Sequence, residues 1–328
     1  MTTQDFQTRP LRRLSMAALA CTLALPWAVH AQSSYPGKPV RVIVPGPAGS
    51  SADVIGRYWG ERLQRALGQP VVFENRSGAA GNIGTHAVVT SPPDGYTLLY
   101  TVGNTTSLNP YIYPKLPYKV EDLVPVLRVL NVPYVMLASA NSPYKTLADV
   151  VKAAQAQPRK LDYASYGVGG TPHVLMELFA NTAGIELSHI PYKDIPLPDV
   201  TSGLVPILFE PATTAILQIK SGRMRGLAAT TAKRIGALPD VPTLSETYPG
   251  LVAVSWHGLF APRGTPPEIV NKVATELNRI VQTEEFRSRV RDLGLEPVGG
   301  TAADLQHYMV DDARLWSKVV KDNHIKAE

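Results

Sequence analysis

Three serines and one histidine are the side chains that could do covalent chemistry in this chain. Ser50 and Ser51 lie in PGPAGSSAD (residues 45–53), Ser165 opens SYGVGGTPH (residues 165–173), and His173 closes it. A serine becomes a nucleophile only beside a base, and none is visible near these three in the sequence. There is no G-x-S-x-G elbow, no H-E-x-x-H pair and no Walker loop. The six histidines beyond residue 31 (His86, His173, His189, His257, His307 and His324) are spaced singly, which is no metal-ligand pattern. A lone histidine usually caps or packs, so His173 reads as a group holding the backbone of its Gly-rich loop. Binding without catalysis is therefore the first reading, with no metal and no cofactor. A secreted hydrolase using Ser51 or Ser165 with His173 is the second.

The elements that must position these residues are legible around them. Arg41 to Val44 is a β-favouring run stopped by Pro45, Gly46, Pro47 and Gly49. Ser50, Ser51 and Asp53 are capping residues, and the apolar spacing of Val54, Ile55, Tyr58, Trp59, Leu63 and Leu67, closed by Gly68, predicts a helix. Such a strand-loop-helix junction presents free N–H groups and a positive helix end to an anionic ligand. Strands are expected at Val71 to Phe73 and Tyr96 to Tyr100, the latter ending in a polar loop at Gly103, Asn104 and Thr105. Gly78, Gly81 and Gly84 in RSGAAGNIG (76–84) follow the second strand with the wrong spacing for a dinucleotide fingerprint, so they read as a tight packing turn.

An irregular Pro-rich connection is expected from Asn109 to Pro125, then two strands meeting at Pro133 within Val126 to Ala138. Helix Leu147 to Ala156, strand Leu161 to Ser165 and helix His173 to Ala183 follow, with Thr171 as N-cap and Pro172 at the first helical position. Further strands are read at Leu187 to Pro191, Val205 to Phe209 and Met224 to Thr230, and a return crossing at Ala253 to Ala261. Helices at Pro266 to Gln282, Glu284 to Leu293 and Ala302 to Lys321 end the chain. Alternating strands and helices predict α/β with two sheets.

At 328 residues, 45% hydrophobic and 18% charged, the chain can bury a large core. Arg9, Arg12 and Arg13 precede the apolar run Met16 to Val29, and small residues around Ala31 suit cleavage before Gln32: residues 1–31 read as a secretory signal. The only cysteine, Cys21, lies within it, and Ala18 three residues earlier argues against lipid attachment there. Taking Arg9, Arg12, Arg13 and Asp5 from the formal charge of +5 leaves +3 without basic runs, which is no nucleic-acid footprint.

YPGKPVRVIVPGPAGSSADVIGR (35–57), ENRSGAAGNIGT (74–85), PDGYTLL (93–99), SYGVGGTPH (165–173), IPYKD (190–194), LPDVPTLSE (238–246) and APRGTPPEIV (261–270) together resemble, in order and spacing, the Bug-type substrate-binding proteins of tripartite tricarboxylate transport systems. The resemblance implies a type II-like, two-lobed periplasmic binding protein of Venus-flytrap form, each lobe a sheet flanked by helices with a cleft between. Lobe 1 would hold residues 32–133 and 256–328, and lobe 2 residues 134–255. It implies a periplasmic monomer that captures a small organic carboxylate, aliphatic or aromatic, for the membrane permease subunits of such a transporter, with no nucleic-acid partner.

Carried over, the ligand contacts are Ala48, Gly49, Ser50, Ser51 and Asp53 on one side, and Ser165, Gly167, Gly169, Gly170 and His173 on the other, to which Tyr166 is added by its place inside the second loop. Gly103, Asn104, Tyr192 and Asp194 complete the wall. Four positions depart from the family pattern: Gly46 where an aromatic is usual, Ser50 in place of glycine, Tyr166 in place of a small residue, and Asp194 in place of glycine. They imply a reshaped far end of the pocket, with Tyr166 either stacking on a ligand or packing into its lobe.

Overall fold

The computed structural model describes Thr2 and residues 35–327; the segment read as a signal, with Cys21, falls outside its described residues. From the start, β1 (Val40–Val44), α1 (Ser51–Leu67), β2 (Val71–Asn75), α2 (Asn82–Val89) and β3 (Thr97–Val102) alternate. Two single turns, α3 (Asn104–Ser107) and α4 (Asn109–Ile112), lead to β4 (Leu123–Val132). Next come β5 (Tyr134–Ser139), α5 (Leu147–Ala156), β6 (Asp162–Ser165), α6 (Thr171–Ala183), β7 (Ser188–Pro191) and α7 (Leu197–Ser202). They are followed by β8 (Ile207–Pro211), α8 (Ala212–Lys220), β9 (Met224–Ala229) and α9 (Leu244–Thr247). The last elements are β10 (Ser255–Pro262), α10 (Pro267–Val281), α11 (Glu284–Asp292), β11 (Glu296–Pro297) and α12 (Ala302–Asp322).

The strands form two mixed sheets. The first runs β11-β4-β10-β3-β1-β2, with β1 parallel to both neighbours and β10 antiparallel to both of its own. The second runs β7-β6-β8-β5-β9, with β6 parallel to β7 and β8, and β5 antiparallel to β8 and β9. Pro133 is the single residue between β4 of the first sheet and β5 of the second; proline has no N–H to give a ladder, so the strand breaks there. Each sheet has its own core. Ile43, Leu99, Trp256, Phe260 and Leu305 pack on the first; Val135, Leu208, Val200 and Ile216 pack on the second. Two cores and two helix-flanked sheets make the two-lobed α/β architecture. α12 touches β4, α3 and α4 on the side of the first sheet and α6 on that of the second.

α1 shows how local sequence sets the packing. Its N-cap is Ser50, its C-cap Gly68 is left-handed at φ 69°, and Ile55, Trp59, Leu63 and Leu67, four apart, are buried. A Cβ on Gly60 would lie 2.2 Å from the Phe73 ring and one on Gly56 2.7 Å from it, so these glycines let the helix lie close on β2. The turn at Gly78 to Gly84 is also a packing device: a Cβ on Gly84 would meet the Arg76 carbonyl oxygen and Pro45 at 2.7 Å.

Several expected elements need correction. The loop at Gly103 to Thr105 is helical from Asn104, and the connection from Asn109 contains α4 and a 3-10 turn at Val120–Asp122, because Asn109 and Pro110 start a helical turn whose Asn109 side chain is tied to Asn82. α6 starts at Thr171 with Gly170 as N-cap, because Gly170 already holds the extended φ,ψ of a cap. β8 runs from Ile207 to Pro211 rather than from Val205; α7, α9 and β11 are too short for a periodic pattern, whereas α8, missed as well, does carry one in Ala212, Ala215, Ile216 and Ile219.

Candidate functional site

A cavity of about 550 Å³ opens at the carboxyl ends of β1 and β3, between the two sheets. From the side of the first sheet it is lined by the β1–α1 loop, including Gly46, Gly49, Ser50 and Ser51, by Thr101 and Val102, and by Ser255 and His257 of β10. The second lobe supplies Tyr134 and the start of α8 at Pro211, Thr213 and Thr214; Leu293 and Leu295 also line it. None of the lining side chains is charged.

The anion-seeking end is built by α1. The first four N–H groups of a helix lack intrahelical partners. Here Ser50 N–H donates to the Pro47 carbonyl (3.2 Å) and Asp53 N–H to Ser50 Oγ (3.4 Å), which leaves the N–H groups of Ser51 and Ala52, both of which line the cavity. Ser51 Oγ is buried with no hydrogen-bond partner among the described residues. Asp53 is not among the residues lining the cavity: its Oδ2 accepts from Gly49 N–H and its Oδ1 from Arg57 Nε, both at 2.9 Å. Burial alone would raise its pKa, but the Gly49, Asn75 and Arg57 interactions prevail and hold it below the ordinary carboxylate value.

Asp53→Ala should therefore free Gly49 N–H, loosen the loop and cost about 1–2 kcal/mol at pH 7 by thermal unfolding. A folded pKa below the unfolded one gives stability that is present at neutral pH and lost as pH falls through it. The gap between wild type and variant should close in acid; a gap that persists at pH 2 would assign the effect to packing instead.

Ser165 and His173, the sequence candidates of the second lobe, are buried under their loop. Ser165 Oγ lies 2.7 Å from Nε2 of His189 and donates to the Gly167 carbonyl at 3.1 Å, while His173 Nδ1 accepts from Gly169 N–H at 3.0 Å. The two imidazoles stack at 3.9 Å between centroids. Burial lowers the pKa of His173 to about 3, with help from His189, and that of His189 to about 4, so both stay neutral acceptors or donors for the loop. Gly167 and Gly169 hold φ of 103° and 76°, which only glycine adopts without strain, and a Cβ on Gly169 would lie 2.8 Å from Ile112 of α4. Thr171 Oγ1 donates to Asn104 Oδ1 (2.9 Å), joining the two lobes.

The remaining candidates are dispersed. Ala48 lies in the β1–α1 loop but is exposed, outside the cavity lining. Gly103 and Asn104 line a separate cavity of about 10 Å³ next to Trp256. The Tyr166 hydroxyl donates to Glu210 Oε1 at 2.5 Å, and that of Tyr192 to Asp199 Oδ2 at 2.6 Å. Gly170 caps α6 and Asp194 is exposed. The structure thus brings Gly49, Ser50 and Ser51 together at the cavity and adds Thr101, Tyr134, Thr213, Thr214, Ser255 and His257, which the sequence reading missed. Thr213 and Thr214 did carry a signal, since they follow a strand ended by Pro211 just as Ser50 and Ser51 follow Pro45. Ser255 and His257 share one face of β10 by simple alternation. Among the described residues no group of three or more His, Cys, Asp or Glu is placed to hold a metal ion, and no helix is long and apolar enough to cross a membrane.

The family described as "Tripartite tricarboxylate transporter family receptor" matches residues 55–325. Protein BugT of Bordetella pertussis is 35% identical over 298 residues, covering 89% of this chain and 91% of that protein. A solved R. palustris protein with adipate superposes with a TM-score of 0.81 at 32% identity, over 89% of this chain and 99% of that one. MatC from Rhodopseudomonas palustris with bound malate gives a TM-score of 0.76 at 27% identity, over 87% and 100%. With its two-lobed fold and a match along nearly its whole described length, the chain belongs to the tripartite tricarboxylate transporter receptor family, the Bug-type periplasmic solute-binding proteins.

Proposed function

We propose that this protein captures a small organic carboxylate in the cavity between its lobes and delivers it to the permease subunits of a tripartite tricarboxylate-type transporter. The observation that carries the reading is the start of α1: two unpaired backbone N–H groups and a positive helix end facing a cavity without charged side chains. The adipate and malate held by relatives of the same fold agree with it. In this reading Gly49, Ser50 and Ser51 hold the acid group, and Tyr134, Thr213 and Thr214 meet it from the other lobe. Lobe 1 is residues 32–133 with 256–328 and lobe 2 residues 134–255, hinged at Pro133 and at the start of β10. The protein works as an exported monomer, its first 31 residues removed, and does no chemistry: Ser165 is fully buried, a poor place for a nucleophile.

Incubating the mature chain with a panel of organic acids and esters tests this. A bound acid at 100 times its dissociation constant should add about 2.7 kcal/mol, visible as a raised Tm, and should be recovered unchanged. A panel that moves Tm nowhere, or an ester that is turned over, would reject the reading.

A further inference from the structure

Within the cavity one side chain is both buried and chemically unspent. His257 is 2% exposed and lies on β10 between Trp256, whose indole serves Asp312 on the opposite face, and Gly258. Its Nδ1 is 3.2 Å from the Tyr100 hydroxyl. Tyr100 is fully buried, and its O–H meets no other acceptor among the described residues. A buried hydroxyl proton is nearly always given to an acceptor, so it goes to Nδ1 and the imidazole keeps its own proton on Nε2. That Nε2–H has no acceptor among the described residues, while the residue lines the cavity.

We propose that His257 is the specificity-determining residue of the site: its Nε2–H donates to one uncharged oxygen, keto, hydroxyl or ether, on the body of the ligand whose acid group lies at α1. The ligand class is then a monocarboxylate with an apolar body and one neutral acceptor, rather than a dicarboxylate. The rest of the lining agrees. Val54, Ile55, Val102, Val132, Leu293 and Leu295 give an apolar wall, and no cation is present to pair with a second carboxylate. A second buried charge met only by a neutral donor costs more than one hydrogen bond returns. Burial lowers the pKa of His257 to about 3, so the ring stays neutral in this role throughout the working range.

The proposal rests on the carboxylate reading above, and its test separates the two. Calorimetric titration of the mature chain would use benzoate and the three hydroxybenzoates, pentanoate and 4-oxopentanoate, and adipate. At least one acid with a neutral oxygen should bind roughly five- to tenfold more tightly than its unsubstituted parent. His257→Phe should reduce that preference to within about twofold, and His257→Gln, whose amide N–H takes a similar place, should restore most of it. Should His257→Phe not fold, the ¹⁵N resonance of Nε2 in the wild-type protein serves instead, and it should shift only with the acceptor-bearing acids. An unchanged preference in His257→Phe, a still resonance, or adipate binding more tightly than every mono-acid would overturn the assignment while leaving carboxylate capture standing. If no acid bound at all, the carboxylate reading would fall and this assignment with it.

Discussion

Asp312→Ala should lower the unfolding free energy by about 2–6 kcal/mol, the sum for two buried donors left without an acceptor. Asp312 lies on α12, 8% exposed, and its two oxygens serve two indoles: Oδ2 accepts from Trp256 Nε1 at 2.7 Å and Oδ1 from Trp316 Nε1 at 2.8 Å. Truncation strands two buried donors at about 1–3 kcal/mol each. It also unpins Trp256, against which Gly103 packs so closely that a Cβ would lie 2.4 Å from Nε1. Asp312→Asn should cost about half as much, since the amide oxygen satisfies one indole while the NH₂ confronts the other. Urea unfolding at pH 7 measures both; a loss below about 1 kcal/mol for the alanine variant would mean that water reaches the indoles.

The second large effect is a dependence on pH. Glu210, 1% exposed at the end of β8, has its pKa pushed from 4.5 up to about 7 by burial, against the opposing hydrogen bond from Tyr166. Between these two values the folded chain holds a proton that the unfolded chain has released. Stability therefore falls as pH rises through that window, by about 3 kcal/mol in all at 1.36 kcal/mol per unit. Glu210→Gln removes this titration. The variant should match wild type near pH 5 and exceed it by about 2–3 kcal/mol at pH 8. Tyr166→Phe, which deletes the hydrogen bond favouring the carboxylate, should push the folded pKa further up and extend the fall in stability to higher pH at the same limiting slope. Denaturant midpoints at pH 5, 6.5 and 8 decide it: parallel profiles for wild type and Glu210→Gln would show that Glu210 titrates as an exposed acid.

What was legible in the sequence was whatever is written locally. Pro45 and Gly46 stop a strand, Ser50 caps a helix, Gly68 ends it and Pro133 splits a long β run, and each stands where it was read. The seven motifs carried the family as well. The second lobe's loop shows the limit. SYGVGGTPH looked like a second wall of the site, yet Gly169 packs on Ile112 and Thr171 on Asn104, contacts to residues far earlier in the chain. The partner of Ser165 was equally hidden, because parallel pairing of β6 and β7 is what brings His189 beside it. His257 was passed over as one more isolated histidine. Its significance depends on Tyr100 and on a cavity assembled from both sheets, and no window of sequence contains those together.

The position of β10 also governs how the molecule can be assembled in time. It is an inner strand of the first sheet, wedged between β3 and β4, but it is made after every strand of the second. Until it arrives, β3 and β4 have no common neighbour, and the buried hydrophobic residues of both stand beside open edges. Pairings between segments so distant in the chain close slowly, because the loop entropy is lost before the contacts that offset it form. The larger sheet, and with it the floor of the cavity carrying Ser255 and His257, can therefore be completed only when the last quarter of the polypeptide is available.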